Sequence, residues 1–344
     1  MDWSRGFTSK FIAVRVDPET WEDTSDEYPL LSGSVSRNAE DSLIQSANIS
    51  TSVNLGDNEE VWIRIYMIAD QEGERVRVPL FTGICATPSA SYSGNKLEYS
   101  ADCYSVLKVA ADLLLPLGYY AQRGLQIGPL IKKLLADLPC NIYYENDSPN
   151  LNKTLVADNS STQLDFISMI LEKTKWYLDI DGKGDVYIRK KKLDPELILS
   201  STENDVMGLE VTDSKDWFDC PNVLRISDGN NTVTVQNDDP NSPYSITKRG
   251  RKIMKSESAS LNDNETIDHC AQRLLKEASN PSRTVSYSRR FYPDVNINDL
   301  VNIKYPEQRL MGYFRIASQS FDLSYGCEVS EEVEEFREDE DENE

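Results

Sequence analysis

Short apolar runs with period-two character dominate the first hundred residues. Lys10–Val16 and Val61–Ile68 are rich in β-branched and aromatic side chains and partly alternate, the pattern of half-buried strands. Val76–Ile84 and Lys96–Tyr104 repeat it, with the turn clusters Asn54–Asn58 and Ser91–Asn95 between the runs. Regular spacing of short strands predicts a sandwich or barrel over residues 1–104.

The period then changes. Val106, Val109, Ala110 and Leu113 recur three and four apart, and Pro129 stands near the start of Leu130–Leu138, so both segments predict helices. Thr162-Gln-Leu-Asp165 has the form of a capping box ahead of Phe166, Ile167, Ile170 and Leu171, a third helix. A hairpin follows, Trp176–Ile180 and Val186–Lys190 around Asp181-Gly-Lys-Gly-Asp185. Residues 105–199 thus predict a small α+β domain, with Ser200–Asp205 as the linker to the next.

Strands return over residues 200–327. Asn222–Ser227 and Thr232–Gln236 flank the hairpin signal Asp228-Gly-Asn-Asn231. One helix is marked by Ile267, Cys270, Ala271, Leu274, Leu275 and Ala278, with a cap expected in Asn262–Glu265 and a stop before Asn280-Pro281. Val285–Phe291, Leu300–Tyr305 and Tyr313–Tyr325 complete a second β domain. The predicted fold class is α+β, mainly β: two tube-like β-barrel domains with an intervening small α+β domain.

Charge narrows the functions. The net charge of −22 sets the chain against phosphate, so stable nucleic-acid binding is not expected. Residues 328–344 hold eleven acidic side chains against Arg337 alone, which predicts a disordered acidic tail, either solubilising or docking on a basic surface. The start of the sequence lacks the profile of a signal peptide and no apolar run reaches bilayer length, so the expectation is synthesis in the cytoplasm without membrane insertion. Six scattered cysteines without CxxC pairing read as free thiols of a reducing compartment.

Chemistry-bearing motifs are few. His269, the single histidine, adjoins Cys270, but neighbouring helical residues point about 100° apart and cannot serve one substrate atom, so a structural role is expected. Asp179–Asp185 opens like a calcium loop, yet Lys183 and Lys190 stand where oxygen ligands are needed, and a plain hairpin turn accounts for Gly182 and Gly184. Phosphate loops, nucleophile elbows and HExxH helices are missing from the sequence, so no catalytic, cofactor-binding or metal residue is assigned. Lys248, Arg249, Arg251 and Lys252 form the densest basic cluster, either a partner contact or a solvated loop face. Lys190-Lys191-Lys192 reads as an edge-strand guard.

Four stretches carry a resemblance. Ser34–Ala47 with Phe81–Ile84, Thr162–Lys190, Pro221–Ile226, and Asn298–Ile303 with Tyr313–Ile316 follow the order found in tail hub proteins of contractile phages, phage-tail-like bacteriocins and type VI spike hubs, the late-control-protein D-like group. The resemblance covers nearly the whole chain by pattern and order. It implies a homotrimeric, pseudo-sixfold baseplate hub ring joining the tail tube protein to the central spike. Other baseplate proteins and the tape measure protein are further implied partners, and the implied location is the tail of a virion or tail-like particle. Larger members carry a fused spike or peptidase region, which these residues lack. Acidity lining such a ring would keep passing DNA from sticking. The rival readings are a peripheral or host-binding module, for instance carbohydrate-binding, and, with less behind it, a cell-wall hydrolase.

Overall fold

The structure is a computed structural model that describes the chain except residues 57, 58, 95, 173, 175, 192–194, 201–206, 228–230, 260–264, 280, 307, 308 and 337–344. The chain is α+β and mainly β, as the hydrophobic pattern predicts. Two compact units divide it: residues 1–211 with 286–344, and residues 212–285.

In the first unit, strands β1 (Thr8–Val16), β2 (Asp23–Asn38), β3 (Gln45–Thr51), β4 (Val61–Gln71), β5 (Glu74–Cys85), β6 (Ser89–Ser93) and β7 (Lys96–Ser105) open the chain. Pairing runs β1-β4-β5-β7-β3-β2, and β2 pairs back onto β1 through Asp23–Pro29, so six of these strands close on themselves as a barrel. Closure leaves no free edge among those six. β4, Val61-Trp-Ile-Arg-Ile-Tyr-Met67, is buried on both faces, which is why its sequence shows an apolar run where a half-buried strand would alternate. Ile49, Ile63, Ile65, Met67, Leu80 and Phe81 form the core, and Phe291, Phe321 and Val329 from the far end of the chain join it.

The small α+β segment follows: α1 (Lys108–Asp112), β8 (Tyr120–Ala121), α2 (Ile127–Leu134), β9 (Ile142–Tyr144), β10 (Leu155–Val156), α3 (Gln163–Leu171), β11 (Trp176–Ile180) and β12 (Val186–Lys190). The capping box is formed as predicted: Thr162 Oγ1 accepts from the Asp165 N–H at 3.1 Å, and Asp165 accepts from the Thr162 N–H at 2.9 Å. The hairpin pairs Trp176–Ile180 with Val186–Lys190 in the expected register, and β9 adds in parallel. α1 is five residues long, shorter than the run from Val106 to Leu113 suggests, because Leu113 is already extended.

After β13 (Pro195–Ser200), the chain leaves the first unit within β14 (Met207–Lys215). The second unit holds β15 (Val223–Ser227), β16 (Thr232–Gln236), α4 (Ile246–Arg249), β17 (Met254–Ser258) and α5 (Ile267–Ala278). Leu224 and Ile226 of β15 pack against Ala271 and Leu275 of α5 as its core. Thr266 caps α5 by accepting the His269 N–H at 3.3 Å, one residue beyond the expected capping run, of which Asn262–Asn264 lie outside the described residues. The turn Asp228–Asn230 and the linker residues 201–205 lie outside them too.

The chain returns within β18 (Arg283–Arg289) and ends with β19 (Leu300–Tyr305), β20 (Leu310–Asp322) and β21 (Val329–Glu335). These strands extend the sheet of the barrel, because Ser34–Asn38 of β2 pairs with Ser318–Asp322 of β20. Among the described residues thirteen strands form one sheet. The compact units therefore divide the chain elsewhere than at 104, 199 and 327. The expectation of disorder from residue 328 is also corrected for its first part, since 329–335 is a strand of that sheet. Val329, Glu331 and Val333 are buried while Ser330 and Glu332 are exposed, an alternation hidden by acidity. Glu331 is fully covered and pairs with the equally covered Arg289 at 2.5 Å. Tyr287 Oη and Gln319 Nε2 donate to the same carboxylate, each at 2.7 Å. Burial, and then the Glu331 charge beside it, hold the Tyr287 hydroxyl well above its usual range.

The turn of the β11–β12 hairpin is fastened to the barrel wall. Gln45 Nε2 donates to the Ile180 carbonyl at 2.5 Å, Thr82 Oγ1 to that of Gly182 at 2.9 Å, and Trp21 Nε1 and Arg64 Nη2 to that of Lys183 at 3.0 and 3.1 Å. Arg64 is held in turn by Asp23 at 2.6 Å. Gly184 takes φ +83°, while Gly182 is required for a different reason: a Cβ there would stand 2.0 Å from the Pro79 carbonyl oxygen.

Gly182→Ala forces the turn off the wall and lowers stability by at least about 1–3 kcal/mol, the usual cost of overpacking, in thermal or urea unfolding. Glu331→Ala leaves a buried, unpaired guanidinium and costs about 3–5 kcal/mol, whereas Arg289→Met combined with Glu331→Leu restores part of it, since Tyr287 and Gln319 still lose their acceptor; unfolding of the two variants beside the parent chain reads the contrast.

Candidate assembly surface

The basic cluster lies in the second unit, and the structure separates its four members. Arg249, at the end of α4, points back across the loop before β15: Nη1 donates to the Cys220 carbonyl at 2.6 Å, and Nη2 to the Trp217 carbonyl at 3.1 Å and to that of Phe218. Arg251 Nη2 reaches the Phe218 carbonyl at 2.5 Å and its guanidinium lies 4.3 Å from the centre of the Phe218 ring. Gly250, at φ +65°, ends α4 in the left-handed conformation between them. Lys248 and Lys252 are exposed; Lys252 Nζ donates to Gln236 Oε1 at 3.4 Å.

The arginines thus hold the loop by its carbonyls and leave its side chains outside. Trp217 and Phe218 are 54% and 59% exposed and meet edge to face at 6.3 Å. Carbonyl acceptors do not cancel the guanidinium charge, so the loop presents two aromatic rings beside the cations of Arg249 and Arg251. The basic residues were legible in the sequence. Trp217 and Phe218 were not singled out, and the signal for them is an adjacent aromatic pair set between Asp216 and Asp219, outside any alternating run.

The remaining candidates resolve as structure. His269 is exposed while Cys270 is buried, so the adjacent pair faces apart on α5. Each carboxylate of the calcium-like turn has its own protein partner: Asp179 pairs with Arg189 at 2.9 Å, Asp181 accepts the N–H groups of Lys183 and Asp185 at 2.9 and 3.0 Å, and Asp185 accepts from Asn141 at 3.1 Å. Burial raises the Asp181 carboxyl above its usual range. Among the described residues no group of three or more His, Cys, Asp or Glu side chains is placed to hold a metal ion. Lys190 ends β12 opposite Trp176, and Lys192 of the same run lies outside the described residues.

In the first unit a cleft of about 540 Å³ lies between the loop Ala39–Ile44, α3 and Asn298–Ala317, with acidic Glu40, Asp41, Glu172 and Glu334 near basic Lys191 and Arg315. Leu114, Leu117, Tyr120 and Val156 leave apolar side chains in water, Leu117 at 80% exposure, and Tyr120 and Val156 are register partners across β8 and β10. No described helix is long and apolar enough to cross a membrane.

The fold is similar to that of solved phage tail proteins. A tail protein from Neisseria meningitidis MC58 matches with a TM-score of 0.67 over 96% of this chain and 97% of that one, at 12% identity. The 43 kDa tail protein of prophage MuSo2 from Shewanella oneidensis matches with a TM-score of 0.63 over 94% and 97%, at 14% identity. A lidless structure of the PdpA–VgrG complex matches with a TM-score of 0.60 over 96% of this chain and 65% of that one, at 11% identity. No protein-family pattern and no curated protein sequence matches the chain.

Arg249→Met removes the donors that hold residues 217–220 and is expected to destabilise by about 1–3 kcal/mol, as for lost bonds to a charged group. Lys248→Ala, which removes no such bond, stays within about 0.5 kcal/mol. Thermal unfolding of the two variants side by side makes the comparison.

Proposed function

We propose that the chain is a structural hub subunit of a phage-type tail baseplate, assembling as a homotrimeric, pseudo-sixfold ring between tail tube and central spike. The agreement of fold with tail proteins along almost the full length of both chains carries this reading. Three surface features support it. In β14, residues 210–215 are exposed throughout, an arrangement that suits a strand completed by another chain. The Leu114–Leu117–Tyr120–Val156 surface gains by being covered. The second unit is close to neutral, ten basic against eleven acidic residues, so nearly all the negative charge belongs to the first. Lys248, Arg251 and Lys252 with Trp217 and Phe218 are the proposed contact of the second unit with an acidic neighbour. On this reading the chain positions other proteins and performs no catalysis of its own.

The test is the mass of the purified chain by light scattering, alone and co-expressed with its genomic neighbours. A trimer in either preparation is expected, and Lys248→Glu with Lys252→Glu should weaken capture of a neighbour several-fold without moving the thermal midpoint. A chain that stays monomeric in both preparations overturns the ring and returns the carbohydrate-binding module to first place.

A further inference from the structure

Cys85 and Cys103 face each other across the seam where β5 meets β7, with sulfur atoms 3.4 Å apart. All six cysteines of the chain are free thiols. The Ala86 N–H donates to the Asp102 carbonyl at 2.8 Å, which makes 86 and 102 a hydrogen-bonded pair and therefore 85 and 103 the adjoining non-hydrogen-bonded pair. Opposed residues of that type lie roughly 4.5 Å apart at Cα. A disulfide accepts separations of about 4.4–6.8 Å, so the backbone need not move far to admit one.

Access is graded across the pair. Cys85 is half-buried and lines a cleft of about 710 Å³ that also includes Leu55, Val61, Tyr99, Tyr104 and Lys108, whereas Cys103 is fully covered. A small oxidant entering from the cleft meets one sulfur, and the second waits behind it. The location is also where a covalent link has most to add: β5 and β7 share only the register pairs 83–105, 84–104 and 85–103 among the described residues, against eleven between β4 and β5.

We propose that Cys85 and Cys103 are a latent disulfide site, closed by a small disulfide oxidant once the chain leaves a reducing compartment, and that the bond staples the weakest seam of the barrel. With oxidised glutathione the Cys85 thiolate attacks one glutathione sulfur, forming a mixed disulfide and expelling one glutathione thiolate. The Cys103 thiolate then attacks the Cys85 sulfur and expels the second. Two electrons pass to glutathione, and the two protons lost by the cysteines end on the two glutathione thiols. The contact with Cys85, reinforced by burial, holds the Cys103 thiol well above its usual range, so the second step quickens as pH rises. This chemistry does not depend on the tail reading. On that reading the subunit folds with thiols in a reducing cell and is stapled afterwards.

The test uses the full chain, reduced and then incubated with oxidised glutathione, alkylated, and mapped by proteolysis without reductant. The expected result is a linked pair of peptides containing Cys85 and Cys103, a thermal midpoint several degrees above that of the reduced protein, and faster closure at alkaline pH. Cys85→Ser, at the half-buried position, should abolish the link and make the midpoint insensitive to oxidant. Persistence of Cys85 as a glutathione adduct, linkage of either cysteine to another partner, or an unchanged midpoint after the link forms would overturn the proposal.

Discussion

Three consecutive-region carbonyls, those of Ile180, Gly182 and Lys183, receive their hydrogen bonds from side chains of the barrel. A turn normally gives such groups to water; here Gln45, Thr82, Trp21 and Arg64 replace it, and a side chain on Gly182 would collide with Pro79. The constraint works in both directions. Arg64 is buried in a wall that offers it Asp23, Thr82 and the Trp21 carbonyl, and the hairpin's Lys183 carbonyl adds a further acceptor, so each side satisfies polar groups of the other. The α+β segment is consequently part of the first unit, where sequence periodicity alone suggested a domain of its own.

Legibility in the sequence followed how local each determinant is. β1, β4, β5 and β7, the α3 capping box and the β11–β12 hairpin were readable because apolar period, cap and turn residues lie within a dozen positions. β21 was not readable, because its inward Glu331 is meaningful only beside Arg289, forty-two residues earlier. The same holds for β2, whose Asp23–Asn38 run is polar and exposed along its first half and finds its partners on β1, β3 and β20. In the second unit, the helix stripe from Ile267 to Ala278 was clear, while its true cap, Thr266, stood just past a run of better-looking asparagines.

The candidate site was half legible. A basic cluster in an acidic chain is visible from charge alone. That Arg249 and Arg251 turn toward backbone carbonyls, and so set two aromatic rings outward, depends on the loop before β15 and could not be read from spacing. Such a division is expected wherever association is encoded in surfaces that a chain's own core does not require.

β2 spends its first half on β1 and the end of its second half on β20, with β3 alongside Leu30–Arg37. A strand shared in this way is a tendon as well as a wall. Tension along its axis loads the ladders of both neighbours in shear, so that many backbone bonds must yield together instead of opening one after another. A pull applied at either end of β2 would therefore be transmitted through the first unit with little give.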